Sequence, residues 1–194
     1  MYIYKVIKPT RKQEIIQVAA TLFKEKGYSA VSMRDIAQAM HIKAASLYNH
    51  ISGKQEILST LILEVAEAFT TEMSAITAET LPTLKKIERV IEIHIDITVN
   101  YSENIATLNN DWMHLEGDDL KQVVKMREAY EENFRRIIKQ GLSQGEIKPQ
   151  HPEVILFSIL STLRNLYLWN EKRGKMDVNV LKKDMVAVLI KGII

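Results

Sequence analysis

The chain of 194 residues contains no cysteine. It can therefore form no disulfide, no thiolate zinc site and no cysteine nucleophile, which agrees with a reducing compartment. No hydrophobic run approaches the length of a membrane span, and the opening residues MYIYKVIKPTRK are apolar before they are basic, the reverse of a secretory signal. These absences predict a protein that stays in the cytoplasm.

The common enzyme motifs are also missing. The sequence contains no Gly-x-Gly-x-x-Gly, P-loop, His-Glu-x-x-His or Gly-x-Ser-x-Gly, and no segment alternates in the manner of a strand. Apolar residues instead recur at helical spacing along the whole chain. We therefore predict an all-α protein that is not an enzyme and carries no cofactor.

Charge is distributed unevenly. Residues 1–54 hold nine Lys or Arg against three Asp or Glu, a net +6, whereas the remaining residues hold 17 against 21, a net −4. Positive charge concentrated in one part of a chain is typical of a polyanion-binding surface, because neutralised phosphates release their counterions. A solvated basic face would give the same pattern.

The basic part contains a dense motif between residues 31 and 58. Ser32 and Asp35 have the spacing of a capping box, which predicts that a short helix begins there. Its periodicity is interrupted at residues 41–43 and resumes at Ala44, so two short helices about a tight turn are predicted, a helix-turn-helix. Small residues at the start of the second helix favour entry into a major groove. The candidate DNA-contacting residues are Ser32, Arg34, Lys43, Ala44, Ala45, Ser46, Tyr48, Asn49, His50 and Lys54.

This segment resembles the DNA-binding domain of the TetR family of bacterial repressors. The resemblance runs from about Arg11 to Leu58 and includes Ser-Met-Arg-Asp-Ile-Ala at residues 32–37, Leu-Tyr at 47–48, and Lys54. The sequence departs from the family pattern at three positions: a turn glycine is replaced by His41, an aromatic or His by Asn49, and a Phe by Ile51. The resemblance implies a homodimeric, sequence-specific transcriptional repressor that binds an inverted-repeat operator.

The predicted architecture is an N-terminal three-helix helix-turn-helix domain, residues 1–55, joined by a long helix to a C-terminal helical domain, residues 56–194. The long helix begins at about Lys54 and extends toward Thr80. The C-terminal domain is expected to bind an effector and to dimerise.

Two C-terminal helices carry the dimer prediction. Residues 154–169 are apolar around nearly the whole circumference, so this helix needs a partner on more than one side. With the last helix, residues 178–194, it would form a four-helix bundle across a two-fold axis. A monomer with a thicker core is the alternative. The predicted interface residues are Leu163, Leu166, Tyr167, Leu181, Met185, Val188 and Gly192.

The middle helices carry the mixture of aromatic, apolar and sparse polar residues expected of a ligand cavity, although residues of these types more often belong to the core. Arg164 needs an anion in its apolar helix, either an internal carboxylate or a group of the effector. Residues 120–169 also resemble TetR regulators that sense acyl-CoA esters, which implies such an ester or another anionic apolar effector. The candidate residues are His94, Trp112, Met113, Tyr130, Phe134, Phe157, Arg164 and Asn165.

Two alternatives to this prediction remain. His94 and His114 with Asp96, Asp111 or Glu116 could bind a metal, but the spacing does not place two of these ligands on one helix face, and no metal is assigned. A helical dimer that binds another protein and no DNA is the second alternative. It would leave the positive charge of residues 1–54 without a role.

Overall fold

A computed structural model of the chain describes residues 9–173 and 176–194, with side chains 170–173 excepted. Residues 1–8 of the predicted N-terminal domain lie outside this description. Within it every regular element is helical, and two short 3₁₀ turns follow α1 and α6 at Tyr28–Ala30 and Trp112–His114. The helices are α1 (Arg11–Lys26), α2 (Met33–Ala39), α3 (Ala44–Leu47), α4 (Lys54–Ala78), α5 (Thr83–Asn100), α6 (Ser102–Asp111), α7 (Gly117–Ser143), α8 (Pro152–Arg164), α9 (Leu166–Arg173) and α10 (Val178–Lys191).

Local signals set both ends of α1. Thr10 and Gln13 form a reciprocal capping box at its start, as the Thr-x-x-Gln spacing favours. Gly27 ends it with a φ of +81°, a conformation that glycine adopts without steric cost. Between these ends α1 buries Ile15, Ala19 and Phe23, so the first helix forms the base on which α2 and α3 lie.

The long helix α4 connects the two halves of the molecule. It begins at Lys54 and packs against α1 at its N-terminal end and against α5, α6 and α7 further along. The predicted domain boundary, between residues 55 and 56, falls in its first turn. Ile57, Leu58, Leu61 and Ile62 of α4 belong to the N-terminal hydrophobic core, so that core continues about two turns into the connecting helix.

The larger half has its own core, formed by α4, α5, α7, α8 and α10. Phe134 and Ile138 of α7 are fully buried there beside Ile87 and Ile91 of α5. A small third cluster lies where α4, α5, α6 and α9 meet. The predicted all-α architecture is therefore confirmed: an N-terminal helical domain joined through a long helix to a larger helical domain.

The apolar segment after Pro152 is two helices. Asn165 breaks it with φ −91° and ψ 0°, and α9 begins at the next residue. The prediction of one helix through Trp169 is wrong, because its continuous apolar character contained no signal for the bend. Across the described ranges, no helix combines the length and apolarity that a membrane crossing would require.

Candidate functional sites

The turn between α2 and α3 has the geometry that the sequence predicted. Ser32 accepts a hydrogen bond from the Asp35 backbone amide, and the Asp35 carboxylate accepts one from the Ser32 backbone amide, which fixes the start of α2. His41 has φ +56°, the left-handed conformation that a turn glycine would adopt. Leu47 and Ile51 are buried beneath α3, so Ile51 fills the core position expected of it.

Seven of the candidate DNA-contacting residues are exposed around this turn. Their side chains have no hydrogen-bond or ion-pair partner among the residues that the structure describes. Tyr48 exposes 56% of its surface although it is aromatic. Donors and an aromatic ring that are exposed and unpaired around one turn suit contacts to phosphates and base edges. We call this surface the recognition face: Arg34, Lys43, Ala45, Ser46, Tyr48, Asn49 and His50.

Lys54 does not belong to the recognition face. Its ammonium donates to the carbonyl oxygens of Tyr28 and Val31, both at 2.8 Å, and lies 4.0 Å from the centre of the Tyr28 ring. Burial lowers the pKa of Lys54. Lys54, a DNA-contacting candidate from the sequence, therefore has partners within its own chain, because the carbonyls of the preceding turn require donors. The Ser32 hydroxyl is likewise engaged, by the Asp35 carboxylate at 2.6 Å.

Helix α6 and the 3₁₀ turn that follows it contact the N-terminal domain. The Glu103 carboxylate accepts a hydrogen bond from Gln17 of α1 at 2.5 Å. The His114 ring stacks on Tyr28 with centroids 5.4 Å apart, and the His114 carbonyl accepts from Gln55 at 2.8 Å. The start of α6 is therefore attached to α1, and the 3₁₀ turn that follows α6 is attached to Tyr28 and to the start of α4.

Asp111 and His114 are the candidate metal ligands nearest to this contact between the domains. Asp111 is 8% exposed, and burial raises the pKa of its carboxyl, while His94 lies in the cavity described next. No group of His, Asp or Glu in residues 9–173 and 176–194 is arranged to hold a metal ion. The contacts of His114 with Tyr28 and Gln55 instead join the two domains.

The larger domain contains a cavity of about 330 Å³ between α4, α5, α6, α7 and α8. This volume lies at the lower end of the range for small-molecule sites. Its lining is mainly apolar and aromatic and includes no acidic residue among those the structure describes. The lining residues are Ala66, Phe69, His94, Thr98, Ile105, Leu108, Asn109, Trp112, Val123, Val124, Met126, Arg127, Tyr130, Leu160, Leu163 and Arg164.

His94 and Tyr130 form a neutral pair in the cavity wall. The His94 Nε2 lies 2.7 Å from the Tyr130 hydroxyl, and the Phe69 ring contacts both rings. Burial, reinforced by the positive charge of Arg164, lowers the pKa of His94 to about 3. Burial likewise raises the pKa of Tyr130. Both side chains are therefore uncharged at neutral pH.

Two arginines supply the charge of the cavity. The Arg164 Nη2 lies 2.5 Å from the Glu131 Oε1, and the Arg127 Nε lies 3.3 Å from the same oxygen. Burial opposes ionisation of Glu131, but the hydrogen bonds from the two guanidinium groups outweigh it and lower the pKa of its carboxyl. The partner that Arg164 was expected to need is thus an internal carboxylate.

Both halves of the chain match known protein families. Residues 15–61 match "Bacterial regulatory proteins, tetR family", and residues 80–193 match "Tetracyclin repressor-like, C-terminal domain". The second match alone covers more than half of the chain. The chain belongs to the TetR family. It is a helix-turn-helix transcriptional regulator, so the DNA-binding prediction is favoured over the interaction module without DNA binding.

Individual TetR-family proteins are similar over nearly the whole length. The HTH-type transcriptional repressor KstR2 of Rhodococcus jostii is 21% identical over 188 residues, which are 96% of this chain and 92% of KstR2. The structure of KstR2 from Mycobacterium tuberculosis aligns with a TM-score of 0.89 at 18% identity, covering 96% of each chain. AibR in complex with isovaleryl coenzyme A and operator DNA aligns with a TM-score of 0.78 at 23% identity, covering 92% of this chain and 97% of AibR.

Within this TetR-type domain, four of the eight candidate effector residues line the cavity: His94, Trp112, Tyr130 and Arg164. The other four do not. Phe134 is fully buried in the core, whereas Met113 and Phe157 are 61% and 71% exposed. The Asn165 side chain is exposed and donates to a backbone carbonyl one turn earlier. These residue types are typical of a ligand cavity, but their positions around the helices direct them into the core or to the surface instead.

Arg127, Phe69 and Asn109 are cavity residues that the sequence prediction missed. Arg127 lies one turn before the conspicuous Tyr130 and Glu131 on α7, and Phe69 lies on the α4 face that continues from Ile62 and Val65. Helical spacing from a predicted cavity residue would have identified Arg127. No comparable signal marks Asn109, whose amide donates to the Arg164 carbonyl at 3.1 Å.

The predicted dimer residues of this TetR-family chain divide into two groups. Leu163, Leu166, Tyr167 and Leu181 are at most 6% exposed and pack inside their own chain. The prediction placed Leu163, Leu166 and Tyr167 at an interface because residues 154–169 were taken as one helix that is apolar around nearly its whole circumference. Met185 is partly buried, and Val188 and Gly192 are exposed. Large apolar residues that remain exposed on these helices are Val154, Phe157, Leu168, Trp169, Val180 and Val188.

Proposed function

We propose that the chain is a homodimeric repressor, acting in the cytoplasm by binding and not by catalysis, whose operator affinity is controlled by a small molecule in the α4–α8 cavity. The recognition face is the observation that carries the proposal. Its Arg34, Lys43, Tyr48, Asn49 and His50 side chains are exposed without partners in the described chain. DNA would provide the acceptors for these donors.

A dimer is part of the proposal because one short helix contacts too few base pairs. Two recognition faces related by a two-fold axis would bind half-sites one DNA turn apart, about 34 Å, or a multiple of it. The exposed apolar residues Phe157 and Val188 lie on α8 and α10. Pairing these helices with their copies would cover both residues and set the separation of the recognition faces.

Helix α6 is proposed to connect the cavity with the DNA-binding domain. One face of α6 carries cavity residues Ile105, Leu108 and Asn109, while Glu103 contacts α1. A ligand that favours a shifted position of α6 would tilt the helix-turn-helix and misalign the recognition faces. Such coupling typically changes affinity by about 1–3 kcal/mol. AibR, which shares the fold, has a structure with isovaleryl coenzyme A and operator DNA, and an acyl-CoA or another anionic apolar molecule is the proposed effector class.

The test selects bound duplexes from a random DNA library with the purified protein and measures affinity by fluorescence anisotropy. We expect an inverted repeat, with affinity falling steeply between about 50 and 200 mM salt. Arg34→Ala should lower affinity about tenfold. Arg136→Ala, which removes an exposed arginine of α7, is the matched control and should bind as the unmodified protein does.

Two results would overturn the proposal. One is a selection that returns no recurrent sequence. The other is an Arg34→Ala variant with unchanged affinity and salt dependence, which would instead support the protein-interaction module.

A further inference from the structure

The charge of the cavity lining is one-sided. Arg127 and Arg164 both line it, whereas no Asp or Glu does among the residues that the structure describes. The remaining polar lining includes His94 and Tyr130, which are uncharged at neutral pH because they are buried. A ligand in the cavity therefore meets positive charge at one place and neutral walls elsewhere.

Glu131 balances this charge from outside the lining. Its Oε1 accepts from both guanidinium groups, at 2.5 Å from Arg164 and 3.3 Å from Arg127. Because both contacts go to one oxygen, neither arginine makes the two-oxygen fork that is the strongest arrangement of guanidinium and carboxylate. A carboxylate arriving from the cavity side could make that fork with Arg164.

The size of the cavity limits the ligand. A volume of about 330 Å³ lies at the lower end of the range for small-molecule sites and therefore suits a small ligand. Octanoate, with ten heavy atoms, is a probe of that kind. A complete coenzyme A ester is several times larger and could place only its acyl chain inside, with the neutral thioester near the arginines.

We propose that the cavity binds an apolar monocarboxylate whose head group takes the place of Glu131 on Arg164 and Arg127, so that Glu131 acts as a built-in competitor of the ligand. This inference rests on the proposed function, since it assigns a ligand class to the effector cavity. The apolar body of the ligand lies against Phe69, Ile105 and Leu108. Release of Glu131 removes one of the contacts between α7 and α8, because Arg164 belongs to α8, while the Arg135–Glu153 ion pair still joins the two helices.

The test measures dissociation constants by isothermal titration calorimetry at pH 7.5 with four probes of one chain length: octanoate, octan-1-ol, octylamine and octanoyl coenzyme A. Octanoate should bind at least about tenfold more tightly than octan-1-ol, since a charge-assisted contact is at stake. Octylamine should not bind. Octanoyl coenzyme A should bind more weakly than octanoate.

The Glu131→Gln variant shows whether the Glu131 carboxylate competes with octanoate for the arginines or assists octanoate binding. If Glu131 competes, this variant should bind octanoate about threefold to tenfold more tightly, a gain that misfolding cannot produce. Arg164→Gln should weaken octanoate binding and leave octan-1-ol unchanged. Arg136→Gln, on the exposed surface of α7, is the matched control and should alter neither probe.

Several results would overturn the inference: equal affinity for octanoate and octan-1-ol, no binding of octanoate, tighter binding of the coenzyme A ester, or weaker octanoate binding in Glu131→Gln. The DNA titration without probes keeps this failure apart from failure of the proposed function. A protein that binds DNA through Arg34 but ignores octanoate contradicts only the ligand class. Loss of DNA binding in the unmodified protein contradicts the repressor itself.

Discussion

Polar side chains have no partner within the described chain on the recognition face, whereas in the cavity wall they are paired with one another. On the recognition face, Arg34 and Lys43 are exposed without a partner in the described chain. In the cavity, His94 is bonded to Tyr130 and Arg164 to Glu131. Groups of the first kind can bind a partner at the cost of releasing water, whereas groups of the second kind must first exchange an internal contact. The difference is consistent with a surface that is ready to bind DNA and a cavity whose ligand must compete with Glu131 for the arginines.

The largest effect is expected from a substitution among the exposed apolar residues that are proposed to form the dimer interface. Phe157→Glu should make the free energy of dimerisation less favourable by at least about 3 kcal/mol, because a carboxylate would be buried in the paired helices without a counter-charge. Sedimentation velocity would show a monomer, and DNA affinity should fall with it. Met113→Glu is the control, since Met113 is similarly exposed, at 61%, but lies outside α8–α10. A Phe157→Glu dimer would place the interface elsewhere.

The internally paired groups should appear in the pH dependence of stability. A histidine with a folded-state pKa of about 3 stays neutral while the unfolded chain, with a pKa near 6.5, takes up a proton. Its stabilising contribution is complete above pH 6.5 and declines as the pH falls toward 3. Between pH 7 and 5 the free energy of unfolding should fall by about 2 kcal/mol through this group. Urea unfolding of His94→Gln should lack that part, and an identical pH slope would show that His94 is not buried as described.

Lys54 is a DNA-contacting candidate that the structure places among the internally paired side chains. The sequence placed Lys54 among the DNA-contacting candidates, but its ammonium donates to the Tyr28 and Val31 carbonyls. Lys54→Met should therefore destabilise the fold by about 1–2 kcal/mol, since the carbonyls lose a donor while the side-chain stem is kept. Thermal and urea unfolding would measure the loss. Unchanged stability with weakened DNA binding would return Lys54 to the recognition face.

The smallest effect concerns Lys43 at the start of α3. Lys43→Ala should lower DNA affinity by less than about 1 kcal/mol on every sequence and reduce the salt slope by about one unit. The variant's stability should stay within about 0.5 kcal/mol of the unmodified protein, because the exposed Lys43 side chain has no hydrogen-bond or ion-pair partner in the described chain. Lys139→Ala on the exposed surface of α7 serves as the control.

Features that depend on neighbours in sequence were predictable. The capping boxes of Thr10 with Gln13 and of Ser32 with Asp35 span three residues, and both are present. His41, which stands where the family pattern has a turn glycine, adopts the left-handed conformation of such a glycine. The helix-turn-helix and its exposed face could therefore be located from the chain alone.

Features that depend on distant residues were not predictable. The Arg164 partner lies 33 residues away, and the Tyr28 carbonyl that Lys54 binds lies 26 residues away. On α7, Tyr130 lines the cavity while Phe134, one turn later, is fully buried in the core. Periodicity assigns both to one side of the helix. Periodicity cannot decide which of the two residues lines the cavity, because that depends on the distances between the neighbouring helices.

The N-terminal core has a further consequence for protein engineering. Leu115 and Val123, from beyond α6, are buried among the side chains of α1–α4. A fragment cut after α4 would leave both positions vacant and would expose the apolar surface that they cover. Chimeric sensors that graft this DNA-binding module onto a foreign receptor must therefore carry the segment around residues 115–123 with it, or supply matching side chains from the new host.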